Sequence, residues 1–199
     1  MRKQLAQAYR RLGQSLIHGT AGNISVRTAS GMLISPTRTT PDHITPDAVV
    51  AMVLDSPTSD ASSEWALHGT LYASRPDLGA IVHTHSDHCT ALACLDLPLP
   101  AFHYMVLTFG GDDVRCAPYA VFGTPELAVL AVTAMAGRTA CLLANHGMIA
   151  AGPDLETAVA AAHLLEQLAR QYLLTRAAGT PRVLTAQECE AARERFLTY

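Results

Sequence analysis

Apolar residues along the opening stretch MRKQLAQAYRRLGQSLIHG fall at Leu5, Ala8, Leu12 and Leu16, the spacing of one helical face. Beyond it the period shortens. Ile24 and Val26 alternate, TASG supplies a turn, and Met32 and Ile34 resume the alternation, which predicts a hairpin. ITPDAVVAMVLD predicts a turn and then a buried strand, and SSEWALHGTLYASRP a helix that Pro76 terminates. GAIVHTH predicts a strand, SDHCTALACL a short helix, and the segment from Phe102 to Phe122 strand and loop. TPELAVLAVTAMAG predicts a helix with Thr124 as its cap and Pro125 at its first position. TACLLANHGMIAAG predicts two strands about a turn at Asn145 to Gly147. LETAVAAAHLLEQLARQYLLTRAAG then predicts a long helix stopping at Gly179, and AQECEAARERFLTY a final short one. Strands occur both in succession and between helices. That mixture predicts an α/β fold, a sheet with helices on its faces and antiparallel pairs within it, as a single domain over residues 1–199.

Composition narrows the function classes. A chain of 199 residues with 49% hydrophobic and 16% charged residues has the makeup of a globular enzyme or binding domain. A net charge of -3 gives no general attraction to nucleic acid, and no segment has about 18 consecutive apolar residues to span a membrane. The basic N-terminus lacks the apolar run of a secretory signal. Five cysteines, Cys89, Cys94, Cys116, Cys141 and Cys189, are dispersed without a C-x-x-C pair, which fits reduced thiols in a cytoplasmic setting.

The candidate chemistry begins at VHTHSDHCT. Residues i and i+2 of a strand share a face, so His83 and His85 can present two imidazoles to one point. A strand end hydrogen-bonded or open to water is the competing account. His146, in a polar turn between apolar strands, can supply a third nitrogen, and three histidines leave a position open, as catalytic zinc requires. His88 falls a turn beyond the strand, where a supporting or capping role suits it better. In SSEW, Ser62 and Ser63 stand at a helix start, where either can cap it or help to bind an anion. Glu64 sits where the helix dipole favours a carboxylate, and beside a metal it can ligate or move a proton. The loop HGTAGNIS, with Gly19, Thr20, Gly22, Asn23 and Ser25, can cradle a phosphate or simply turn.

Taken together, GTAGNISVR, LISPT, SSEWALH, VHTHSDHCTA, HYM, CAPYAVFGTPEL and NHGMIA occur in the order and spacing of a known family. On these motifs, from about residue 10 to the terminal FLTY, the chain resembles the class II aldolase/adducin-head family. The resemblance implies a three-layer α/β/α fold with a central, mostly antiparallel sheet. It also implies a homotetramer with active sites at subunit interfaces. Under it, His83, His85 and His146 are ligands of Zn²⁺ or of another divalent metal such as Mn²⁺, Co²⁺ or Fe²⁺. Glu64 ligates the resting metal and serves as the base. Gly22, Asn23, Ser62 and Ser63 match phosphate-binding positions. Tyr104 matches a proton donor reaching a neighbouring subunit's site, and Phe122 and Tyr199 match residues shaping the aldehyde end. The implied function is metal-dependent cleavage or formation of a carbon–carbon bond in a short hydroxy-ketone or ketose phosphate, through a metal-stabilised enediolate. Decarboxylation, epimerisation and dehydration of sugar-acid or sugar phosphates are alternatives within the fold. A non-catalytic adducin-like module and a non-haem iron oxygenase are others.

One position departs from the family. A glycine ordinarily follows the PT of SPTRTTPDHI, and here Arg38 stands there. Arg38 can point to solvent, grip a phosphate or carboxylate bidentately, or fill the pocket so that the substrate carries no phosphate. Added bulk and charge at a point of close approach favour an altered anion end.

Overall fold

The computed structural model describes residues 1–56 and 58–198. Alternating apolar runs become the strands β1 (Gly22–Thr28), β2 (Gly31–Ile34), β3 (Val50–Met52), β4 (Ala80–Thr84), β7 (Cys116–Ala117), β8 (Ala140–Leu143) and β9 (Gly147–Gly152) of one sheet. Its order is β3-β2-β1-β4-β9-β8-β7. Every neighbouring pair is antiparallel except β7 with β8. The two short strands β5 (Leu99–Pro100) and β6 (Asp113–Val114) pair separately.

The pleat sends alternate residues to two helical layers. Ala80 and Val82 of β4 face a core shared with α1 (Arg2–Leu12), α3 (Asp87–Ala93) and α5 (Leu155–Ala178). Ile81, with Ile149 and Ala151 of β9, faces α2 (Trp65–Ser74) and α4 (Pro125–Ala134). The expected three-layer, mostly antiparallel architecture is thus observed.

Local signals place most helix ends. Thr124 accepts from the Leu127 N–H with Pro125 behind it, and Asp154 accepts from the Thr157 N–H at the start of α5. Thr185 and Glu188 form a capping box at the start of α6 (Ala186–Phe196). Three expectations shift. Helix α1 ends at Leu12, whose carbonyl takes the N–H groups of both Leu16 and Ile17 in a tight turn that still buries Leu16. Strand β3 is a short sheet edge with Ala51 exposed, not a buried strand. Within the segment from Phe102 to Phe122, Tyr104–Phe109 forms a 3-10 helix, started by His103 Nδ1 accepting from Met105 N–H and closed by Gly110 at φ 99°.

Candidate metal centre and its cavity

Register brings distant residues to one end of the sheet. Asn23 of β1 lies opposite His83 of β4, and His83 lies opposite Ile149 of β9. The β8–β9 turn therefore carries His146 to the level of His85, which stands just past the end of β4. Asn145 takes φ 54° in that turn, and Gly147 packs so close that a Cβ there would stand 2.4 Å from the Thr84 carbonyl. Glu64 enters from the opposite layer as the residue that caps α2.

The result is one cluster. Glu64, His83, His85 and His146 each offer a ligand atom, and these atoms all lie within 4.8 Å of one another. His83 Nε2 is 3.0 Å from Glu64 Oε2 and 3.0 Å from His85 Nε2, and His146 Nε2 is 3.3 Å from Glu64 Oε1. Four donors around a shared zinc-like ion, each about 2 Å from it, stand roughly 3.3 Å apart.

Protonation favours the same occupant. His83 Nδ1 donates to the Met148 carbonyl at 2.9 Å, so its Nε2 presents a lone pair to the cluster. A lone pair beside a carboxylate oxygen and a second imidazole repels both unless a cation is shared. Without a metal, burial lowers His83, but Glu64 outweighs that and raises its affinity for a proton. Burial and the charge of His83 bring His85 and His146 down to about 4, leaving them neutral and ready to ligate. Burial alone would raise the Glu64 carboxyl, but His83, His146 and the Asn23 amide hold it well below the usual carboxylate range. Glu64 Oε1 is buried without a hydrogen-bond donor. Two neutral imidazoles, a third whose extra proton a metal would displace, an anionic oxygen and an orphaned lone pair fit a divalent ion.

A cavity of about 280 Å³ opens over the cluster. Its lining combines polar Thr20, Asn23, Thr37, Ser62 and Ser63, the glycine Gly22, and Tyr119, Ala120 and Phe122. Gly22 takes φ 137°, and a Cβ there would meet the His83 carbonyl at 2.9 Å. Arg38 lines the cavity in the left-handed region at φ 54°, and it is the one Lys or Arg among the described lining residues.

The other expected residues divide. Neither serine is the helix cap; Ser62 Oγ instead accepts from the Glu64 N–H at 3.3 Å. The Asn23 side chain faces Glu64 and His68 as well as the cavity. His88 stays out of the cluster, and Glu166 accepts from its N–H and its Nδ1. Tyr104 lies outside the cavity of its own chain, half-exposed and stacked on His103. Tyr199 lies outside the described residues. Sequence reasoning missed Tyr119, three residues before Phe122, and His68, whose signal was its place four residues after Glu64 on one helical face.

Fold and site together define a metal-centred enzyme on a helix-flanked antiparallel sheet. A family model described as the class II aldolase and adducin N-terminal domain matches residues 3–173. The chain is 47% identical over 186 residues to the 5-methylthioribulose-1-phosphate/5-deoxyribulose-1-phosphate aldolase of Rhodospirillum rubrum, covering 91% of this chain and 83% of that one. It is 44% identical over 193 residues to L-fuculose phosphate aldolase of Escherichia coli, covering 95% and 89%. A solved L-fuculose 1-phosphate aldolase matches with a TM-score of 0.92 at 39% identity, covering 98% of this chain and 95% of that one. The chain belongs to the class II aldolase and adducin N-terminal domain family, as its motifs implied. It is an aldolase of the metal-dependent class, a lyase of carbon–carbon bonds. No helix among the described residues is long and apolar enough to cross a membrane.

Proposed function

We propose that the chain cleaves a ketose 1-phosphate between the carbons beyond its carbonyl, releasing a three-carbon ketone phosphate and an aldehyde. One observation carries this reading: a carboxylate and three imidazoles converge beside a cavity whose lining includes hydroxyls, one arginine and two aromatic rings. The relatives' substrates, a fuculose phosphate and pentulose 1-phosphates, have a phosphate at one end and a reacting hydroxy-ketone next to it. Ser62, Ser63, Gly22, Asn23 and Arg38 would hold the phosphate, with Arg38 supplying the charge. Phe122 and Tyr119, with Tyr199, would border the departing aldehyde.

His83, His85, His146 and Glu64 would hold the metal, for which Zn²⁺ suits the nitrogen-rich donors best. When bound, such an ion supplies Lewis acidity to the ketone and to the negative charge that develops on it. The remaining steps belong to side chains. As the carbon–carbon bond breaks, its electron pair passes to the ketone fragment as an enediolate, and the alcohol that becomes the aldehyde loses its proton. In the synthetic direction Glu64 would take a proton from the hydroxymethyl carbon of the ketone phosphate, leaving the enediolate. In cleavage it would take up a proton from solvent, replacing the one the alcohol lost, and pass it to the enediolate carbon. Tyr104 would exchange the proton at the aldehyde oxygen from a neighbouring subunit, which suits its position outside its own cavity. That role calls for an oligomer with sites at subunit interfaces, which a homotetramer of single-domain chains would supply. Five free cysteines suit a cytoplasmic enzyme.

The test is a panel of L-fuculose 1-phosphate, 5-methylthioribulose 1-phosphate, 5-deoxyribulose 1-phosphate and their unphosphorylated forms, each with and without chelator. Chelator-sensitive release of aldehyde from a phosphorylated member is the expected result. Carbon dioxide release, epimerisation or oxygen uptake in place of aldehyde would overturn the reading.

A further inference from the structure

Beneath the metal centre, the α2 layer contains a line of polar side chains in an otherwise apolar core. Strand β1 contributes Asn23 and Ser25 at i and i+2, and α2 contributes Glu64, His68 and Tyr72 at i, i+4 and i+8. Four helical residues rise about 6 Å and two strand residues about 6.7 Å, so the two rows stay in step. They interdigitate as a zipper. Tyr72 Oη lies 2.8 Å from Ser25 Oγ, Ser25 Oγ lies 2.6 Å from His68 Nδ1, His68 Nε2 lies 2.5 Å from Asn23 Oδ1, and Asn23 Nδ2 lies 3.1 Å from Glu64 Oε2. All five are buried, His68 and Ser25 completely. Arg27, the next outward step on β1, closes the far end by donating to the Tyr72 carbonyl with its guanidinium over the Tyr72 ring.

The carboxylate at one end fixes the direction of every bond. Glu64 only accepts, so the Asn23 amide turns its nitrogen to Glu64 and its oxygen to His68. His68 must then carry its proton on Nε2 and accept at Nδ1, which makes Ser25 the donor there and Tyr72 the donor to Ser25. A buried polar row is at best neutral for stability relative to well-packed apolar residues, so packing alone gives no reason for it.

We propose that His68 is a positioning residue: through Asn23 it fixes the orientation of the Glu64 carboxylate that faces the metal and moves the substrate proton. This rests on the reading of Glu64 given above. The zipper leaves Glu64 Oε2 with a donor in place and Oε1 free, so the carboxylate has one preferred rotation. Without the His68 Nε2–H, the Asn23 amide can turn and set its oxygen against the carboxylate.

The experiment combines histidine nitrogen NMR on metal-free protein with steady-state kinetics and metal content on loaded protein. In the wild type His68 should be the Nε2–H tautomer at neutral pH. Ser25→Ala, which removes the donor to Nδ1, should give mixed tautomers. His68→Leu should lower kcat about 10–100-fold, with KM within about twofold and metal content unchanged. His68→Gln places an amide N–H where Nε2–H stood and should restore most of kcat. An Nδ1–H tautomer in the wild type would overturn the proposal, as would wild-type kcat in His68→Leu or an equal loss in both His68 variants. If His68→Leu does not fold, Ser25→Ala and His68→Gln decide the matter by the same readouts. Failure of the wild type to cleave any ketose phosphate would refute the proposed reaction, while the tautomer result would still judge the zipper.

Discussion

Replacing Arg38 with glycine separates two consequences of one residue. Arg38 holds φ 54°, a conformation that costs a side-chain-bearing residue about 1–2 kcal/mol over glycine. Glycine relieves that strain but adds unfolded-chain freedom worth about 0.5–1 kcal/mol. The net stability change therefore falls between about zero and 1.5 kcal/mol in favour of Arg38→Gly. Binding moves the other way. A charge-assisted hydrogen bond is worth about 1.5–3 kcal/mol, and the exposure of Arg38 reduces it to about 1–2 kcal/mol through solvent screening. KM for a phosphorylated substrate should rise roughly 5–30-fold, and KM for its unphosphorylated analogue should stay put. The wild-type KM should climb with ionic strength and the variant's should climb less. Urea unfolding with steady-state kinetics on both substrates at two salt concentrations measures each quantity. Unchanged discrimination between the two substrates would refute the reasoning and leave Arg38 a solvent-facing residue.

Two further outcomes follow from buried groups. Burial brings His68 down to about 3, with the charge of His83 adding to the shift, while an unfolded imidazole titrates near pH 6.5. Between those values the unfolded chain binds the extra proton, so acid favours unfolding by up to about 1.4 kcal/mol per pH unit. Urea midpoints of metal-free protein should fall on acidification from pH 6 to 5, and less steeply in His68→Gln; equal slopes would contradict this. Glu166 accepts from His88 N–H, His88 Nδ1 and Cys89 N–H at 3.0, 2.6 and 2.9 Å, tying α5 to the start of α3. Glu166→Ala should cost about 1.5–3 kcal/mol in urea unfolding and leave kcat unmoved, and unchanged stability would mean that the tie contributes nothing.

What the chain discloses before folding depends on how local each signal is. Strand period puts His83 and His85 on one face, and a helix start and a turn make Glu64 and His146 candidates, but it was the resemblance to the family that joined the four into one site. The α/β layering followed from strands set among helices. Strand β3 misled because apolar content does not distinguish a sheet edge from its centre. The segment read as strand and loop does carry β6 and β7, but its 3-10 helix went unseen because His103 and Gly110 close Tyr104–Phe109 through local hydrogen bonds that no apolar period marks. The zipper was hidden for a different reason. Asn23 and His68 are 45 positions apart, and only the docking of α2 on β1 shows that their repeats match.

The central claim is that Glu64, His83, His85 and His146 hold one divalent ion on which cleavage depends. Zn²⁺ titrated into chelator-stripped protein, with aldehyde release from a ketose 1-phosphate followed throughout, tests it most directly. Activity should rise from near zero and break at about one ion per chain, and His146→Ala should bind the ion much more weakly. Full cleavage by the stripped protein, or tight stoichiometric binding undisturbed in His146→Ala, would contradict it.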